Sequence, residues 1–201
     1  MKLYFSPGAC SLASHLILHE LGLKFEAVQV NLREHQWSGG DFYKINPKGS
    51  VPTLQLDNGQ ILTEGPVILQ YLADQKPEAQ LIPLAGNFER YRCQEWLNFI
   101  TSELHKGFSP LFDSQTPEDA KQKSRDTLMK KLSFVSSHLA TNDFLMGHRY
   151  SVADAYLFTI LNWTKMVKMD LTTLPPLLGF MERVKTRPAT SATMKAEGLL
   201  K

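Results

Sequence analysis

Cysteine is scarce in this chain: Cys10 and Cys93 are the only two among 201 residues. Two thiols make no disulfide framework, and a reducing, cytoplasmic setting is the expectation. Long apolar runs are also missing. None reaches about 18 residues, so no membrane span is expected. The opening Met1-Lys2-Leu3-Tyr4-Phe5 lacks the apolar stretch of a signal peptide. Charge of one sign is not in excess: 22 Lys and Arg face 20 Asp and Glu, a net +2. Charge therefore gives no reason to expect nucleic-acid or membrane-surface binding. Repeats and low-complexity tracts are absent. What remains is ordinary globular composition at a length that suits one large or two small domains.

The first part of the chain alternates strand and helix signals. Leu3-Tyr4-Phe5 suits a buried strand, and Ser6-Pro7-Gly8 is turn chemistry. Ala13, Leu16, Ile17 and Leu21 recur on one face of a helix over Ser11 to Leu21, with Gly22 to end it. Phe25 to Leu32 alternates as a strand. Arg33 to Gly40 reads as a polar loop, and Asp41 to Ile45 as a short helix stopped before Pro47. Thr53 to Leu56 and Ile61-Leu62 flank Asn58-Gly59, a strong hairpin signal. Pro66 opens a helix that runs to about Ala73. A mixed four-stranded sheet with helices on its faces is expected over residues 1–80.

The pattern changes after Pro77. Gln80 to Asn87 reads as a linker, and residues 87–201 carry only helical periodicity. Phe88 to about Phe108 is expected as one long helix. Pro117 to Leu139 is a second, with Thr116 as cap, a proline at its first position and acids in its first turn. Ser151-Val152-Ala153-Asp154 resembles a capping box with Asp in the place of Glu or Gln, opening an apolar helix through Leu161. Leu174 to Lys185 is expected as the last helix.

Three places can carry chemistry. Val51-Pro52 opens a strand, where proline is tolerated, and a cis bond is expected there. The bend takes the N–H and C=O of Val51 out of the sheet ladder and offers them to an extended peptide; a purely structural turn is the other reading. Cys10 stands at the start of the first helix, where N–H groups and a partial positive charge favour a thiolate; a small buried apolar residue is the other reading. Glu64-Gly65 stands at another helix start, where an N–H can hold a carboxylate and the Glu64 side chain an ammonium, the two charges of an amino-acid head group. A plain helix start is the alternative. In this topology all three lie near one end of the sheet.

The segments Tyr4…Pro7-Gly8-Ala9-Cys10-Ser11, Asn46-Pro47-Lys48-Gly49-Ser50-Val51-Pro52-Thr53-Leu54 and Leu62-Thr63-Glu64-Gly65 together resemble a cytosolic glutathione transferase. Cys10 with Glu103-Leu104-His105-Lys106-Gly107-Phe108 resembles the bacterial beta class. The resemblance covers nearly the whole chain. It implies a thioredoxin-like domain followed by a helical bundle domain, assembled as a homodimer. It implies glutathione as co-substrate, no tightly bound cofactor, and transfer of the glutathione thiolate to small apolar electrophiles, with thiol-disulfide or peroxidase side activity through Cys10. By motif, Cys10 meets the glutathione sulfur, Val51 the cysteinyl backbone, and Glu64 and Gly65 the γ-glutamyl end. Asn98, Ser102 and His105 line the site from the second domain, their spacings of four and three placing them on one helical face. Cys10 and His105 are the catalytic residues this implies.

Two positions depart from the family pattern. Gly65 stands where many relatives carry Ser or Thr, so one hydroxyl contact is lost. Several beta-class members place a lysine near position 35; here His35, or Arg33 if the alignment slips, is the candidate for the glycyl carboxylate. Other residues have bland readings. His15 and His19 are taken as solvated helix residues, since no third metal ligand accompanies them. Tyr4 and Cys93 are taken as core, Ser11 as a helix cap or a donor to a sulfur anion. Phe108, Phe112, Tyr156 and Trp163 line an apolar pocket or are plain core. A ligand-sequestering carrier and a non-enzymatic interaction protein of the same fold are the rival functions.

Overall fold

In the computed structural model, which describes residues 1–200, the chain changes character at Ile82–Pro83, inside the stretch read as linker. One compact unit comprises Met1–Ile82 together with the residues from Thr186 onward, and the other comprises Pro83–Lys185. The sequence pattern places the residues after Thr186 with the helical domain instead. They group with the first unit because of a helix the pattern does not show, described below.

In the first unit, β1 (Lys2–Phe5) runs parallel to β2 (Glu26–Asn31) and antiparallel to β5 (Thr53–Gln55), which pairs in turn with β6 (Ile61–Thr63). A parallel pair needs a crossover, and α1 (Leu12–Glu20) supplies it. Leu3, Tyr4 and Phe5 are buried on both faces of this central strand. The expected loop after Leu32 holds two more strands, β3 (Gln36–Trp37) and β4 (Gly40–Asp41), giving the order β4-β3-β2-β1-β5-β6. Two residues are too few for alternation to be seen in a sequence. The Asn58-Gly59 turn forms as expected: the Leu56 N–H donates to the Gln60 carbonyl, and Gly59 takes φ +84°.

After β6, α2 (Gly65–Asp74) follows, and α1 packs against α2 and against α8 (Pro188–Ala196). Pro188 reads as a helix stop in the sequence. Here it lies in the first turn of α8, where its missing N–H costs nothing. Arg187 grips the Glu20 carboxylate at the end of α1 through two bonds of 2.6 and 3.0 Å. With α8 laid on it, α1 has no solvent face. His15 is therefore buried rather than solvated, and His19, stacked on it at 5.1 Å, has its Nε2 enclosed.

The second unit begins with α3 (Phe88–Phe99), which does not continue as one α-helix to Phe108. A π-helical turn spans Ile100–His105, a tighter 3-10 turn Lys106–Phe108, and α4 covers Ser109–Phe112. Next comes α5 (Glu118–Leu139). Thr116 does not cap it; its hydroxyl donates to Asp113, and Pro117 takes the cap position. α6 (Val152–Met166) is apolar on nearly every side and correspondingly buried. Its capping box is present: Ser151 donates to the Asp154 carboxylate from its N–H (2.8 Å) and hydroxyl (2.7 Å), and the Leu145 N–H donates to the other oxygen (2.8 Å). Burial pushes the Asp154 carboxyl up to about 6 against these three donors. α7 (Pro175–Lys185) closes the unit.

Candidate glutathione site

Cys10 lies in the turn between β1 and α1. Gly8 takes φ +71°, the Ala9 N–H donates back to the Ser6 carbonyl, and Leu12 to the Ala9 carbonyl. Ser11 does not cap α1. Its hydroxyl accepts from the Ser6 N–H (3.2 Å) and donates to the Ser6 carbonyl (3.3 Å), closing the turn on itself. The half-buried Cys10 thiol donates to the Val51 carbonyl at 3.0 Å. The sequence suggests that this carbonyl waits for a ligand. The bend does take Val51 out of the ladder, whose pairs with β1 begin at Thr53, but the thiol of Cys10 occupies the oxygen. Only a protonated thiol can make that contact.

The segment before β5 is shaped by Asn46, which is buried. Its amide donates to the Ser50 carbonyl (2.8 Å) and to Thr53 Oγ1 (3.0 Å), while its own carbonyl oxygen accepts from the Lys48 N–H. Gly49 sits at φ +63° with a position for Cβ only 2.6 Å from the Tyr43 ring, so no larger residue fits. The Val51-Pro52 bond is cis. Glu64, between β6 and α2, takes φ +72° and ψ 114°, a conformation rare for a residue with a side chain. Its carbonyl receives the Val67 and Ile68 N–H groups that open α2. Gly65 lies beside Pro52: a Cβ there meets the proline ring at 3.9 Å.

Cys10, Val51, Pro52, Glu64 and Gly65 are thus neighbours within the first unit. The exposed Glu64 carboxylate already holds a cation, the Lys48 ammonium at 2.6 Å, which also donates to Thr63 Oγ1. Lys48 lies in the quoted motif, yet nothing in its spacing announces this pair. His35 takes φ +52° and lays its ring on Tyr43 (4.5 Å between centroids), against Gly49. Arg33 lies close by in sequence, where its N–H donates to Asn31.

In the second unit Asn98 and Ser102 are exposed, and the Ser102 hydroxyl donates to the Asn98 carbonyl. His105 is turned differently. Its Nδ1 lies 2.6 Å from the Tyr156 hydroxyl, and its ring meets Trp163 edge-on at 4.9 Å. Burial, helped by the Lys106 charge, pushes its pKa down to about 4, so the imidazole is neutral near pH 7. The π turn breaks the α-helical spacing on which a single face for these three residues depends. Tyr156 is a partner the sequence does not announce. Of the four aromatics, Phe108 is buried core and Phe112 is exposed, both edge-on to Trp163.

Tyr4 and Cys93 are core, as their sequence context suggests. Tyr4 has its hydroxyl on Gln55 Oε1 at 3.2 Å and its pKa raised by burial. Cys93 is fully buried, and burial pushes its thiol up to about 12. Among the described residues no group of three His, Cys, Asp or Glu can hold a metal, and no helix is long and apolar enough to cross a membrane.

Comparison with known proteins agrees with this geometry. Residues 8–75 match the glutathione S-transferase N-terminal domain family and residues 99–188 the C-terminal domain family. The chain is 48% identical to glutathione S-transferase GstA of Escherichia coli O157:H7, over 99% of this chain and 100% of that one. A sphingomonad glutathione S-transferase complexed with glutathione is 44% identical, with a TM-score of 0.96 and full coverage of both chains. A bacterial beta class glutathione S-transferase of Sphingomonas chungbukensis matches equally, at 44% identity, TM-score 0.96 and full coverage of both chains. The chain therefore belongs to the glutathione S-transferase family, and within it is similar to the bacterial beta class.

Proposed function

We propose that this protein transfers the thiolate of glutathione to small apolar electrophiles. The observation that carries the reading is the Cys10 thiol on the Val51 carbonyl, 3.0 Å away, beside the Glu64-Gly65 helix start. An extended tripeptide meets these groups in order. Its thiol lies at Cys10, its middle backbone at Val51, and its amino-acid end at Glu64 and Gly65. There the ligand ammonium competes with Lys48 for the Glu64 carboxylate. The glycyl carboxylate goes to His35 or Arg33.

The sulfur of glutathione attacks the electrophilic carbon, a C–S bond forms, and the leaving group departs with its electron pair. The thiol proton goes to solvent. Asn98, Ser102 and His105 belong to the same reading; a neutral His105 acts as a hydrogen-bonding group, not as a cation. The route to redox side activity is exchange: the Cys10 thiolate attacks a sulfur of a glutathione-containing disulfide, an S–S bond to glutathione forms, and the other half leaves as its thiolate. A cytoplasmic homodimer is the form the family implies.

The test is glutathione-dependent conjugation of a chloro-nitrobenzene by wild type and Cys10→Ala. Clear wild-type turnover is expected, with a fall of about 10²-fold in the variant, the size of two pKa units of thiol activation. A wild type no faster than the uncatalysed reaction would sink the transferase reading. A variant that keeps conjugation but cannot be glutathionylated reassigns Cys10 to redox chemistry.

A further inference from the structure

The side chain of Glu197 is wholly buried, although it stands in the turn that ends α8. A carboxylate out of water is costly unless its oxygens are bonded. Both are. Oε2 accepts from the Gly8 N–H at 2.9 Å, across 189 positions of chain, and Oε1 meets His15 Nδ1 at 2.8 Å. Leu199, two residues on, also lies beside this glycine: a Cβ added at Gly8 would meet a Leu199 methyl at 3.6 Å.

These residues are rigidly presented. Gly198 takes φ +69°, its N–H donates to the Lys195 carbonyl at 3.0 Å, and the Leu199 N–H donates to the Met194 carbonyl at 2.8 Å. That pair of bonds is the Schellman ending, and it fixes where the residues on either side of the glycine point. Gly8 in turn belongs to the turn that carries Cys10. It is followed by Ala9, and the turn is also held by Ser11 on Ser6 and by the Cys10 thiol on the Val51 carbonyl.

We propose that Glu197 is a positioning residue for the Cys10 turn: its carboxylate, oriented by His15, anchors Gly8 and so sets where the Cys10 thiol meets the Val51 carbonyl. The importance of that placement for catalysis rests on the transferase reading; the placement itself does not. A simple docking role for α8 predicts otherwise. α8 has a second anchor on α1, the Arg187–Glu20 pair, which joins the start of α8 to the end of α1, a helix length from the Cys10 turn. Breaking either anchor loosens α8, but only one reaches Gly8.

The experiment follows carbamidomethylation of Cys10 by iodoacetamide, read by peptide mass spectrometry without glutathione, in wild type, Glu197→Ala, Glu197→Gln and Arg187→Ala. Unfolding midpoints and the KM for glutathione are measured alongside. Glu197→Ala is expected to speed Cys10 alkylation by about fivefold, the size that one net hydrogen bond carries, as the thiol is released from Val51. Glu197→Gln is expected to stay within about twofold of wild type. Its carbonyl still accepts from Gly8, and its amide donates to a His15 that shifts tautomer. Arg187→Ala is expected to lose stability with Cys10 alkylation unchanged.

The proposal is overturned if Glu197→Ala loses stability while Cys10 alkylation stays unchanged or slows, or if Arg187→Ala speeds it equally. Should Glu197→Ala not fold, Glu197→Asp, whose carboxylate falls short of Gly8, takes its place with the same expectation. A wild type that fails to conjugate but shows the alkylation response upholds the positioning role and overturns the transferase reading.

Discussion

Cys10 and Cys93 carry the same side chain under opposite conditions. Cys10 sits in a turn, half-buried, with its thiol on a backbone carbonyl. Cys93 lies inside α3 with no exposure, its thiol pushed up to about 12 by burial first and the nearby Asp154 charge second. The residue type alone says little about reactivity. What differs is which backbone surrounds it: an irregular turn leaves a thiol within reach of solvent and a ligand, while a helix interior seals it.

The comparison can be sharpened in order of size. Alkylation at pH 8 is expected to mark Cys10 and leave Cys93 untouched, because a thiol at about 12 holds about 10³-fold less thiolate than an ordinary one. Peptide mass spectrometry after timed quenching reads this, and equal labelling would break the contrast. Asp154→Ala is expected to destabilise by about 3 kcal/mol in denaturant titration, since three donors lose a buried acceptor. It is also expected to make Cys93 easier to ionise. Asp154 further predicts a direction with pH. The folded carboxyl lies near 6 against 3.8 ordinarily, so the folded state keeps a proton that the unfolded state has lost. The contribution is present below the ordinary value and is lost as pH rises towards 6. The stability advantage of wild type over Asp154→Asn should therefore shrink across that window.

Smaller effects come from the turn itself. Ser11→Ala is expected to cost about 1–2 kcal/mol, since the hydroxyl makes both bonds to Ser6. Tyr4→Phe is expected to cost about 0.5–1 kcal/mol, the value of its bond to Gln55. It should leave conjugation unchanged, and a large loss of rate would return Tyr4 to the site.

Much of the fold could be read from local chemistry. Asn58-Gly59, the Ser151–Asp154 box and Pro66 are signals spelled out by adjacent residues, and each element formed where they stand. The motif segments around Cys10, Val51 and Glu64 likewise came together in the first unit. What stayed hidden depends on distant partners. His15 reads as a surface histidine until α8 covers it, and Glu197 gives no hint of its bond to Gly8. The π turn leaves no pattern of its own, so the helical spacing of Asn98, Ser102 and His105 promised a regularity the backbone lacks. Lys48 and Glu64 are 16 positions apart, and only the fold pairs them.

Because Gly8 waits for a carboxylate 189 positions further on, the order of synthesis matters to the first unit. As the chain leaves the ribosome, β1 and the Cys10 turn emerge early, but the helix that covers α1 emerges only after the whole of the second unit. A nascent chain halted before Thr186 would therefore carry an uncovered α1 and a Cys10 turn without its bond to Glu197. Its sheet can pair, yet the Cys10 thiol would reach its final setting only once α8 had been made.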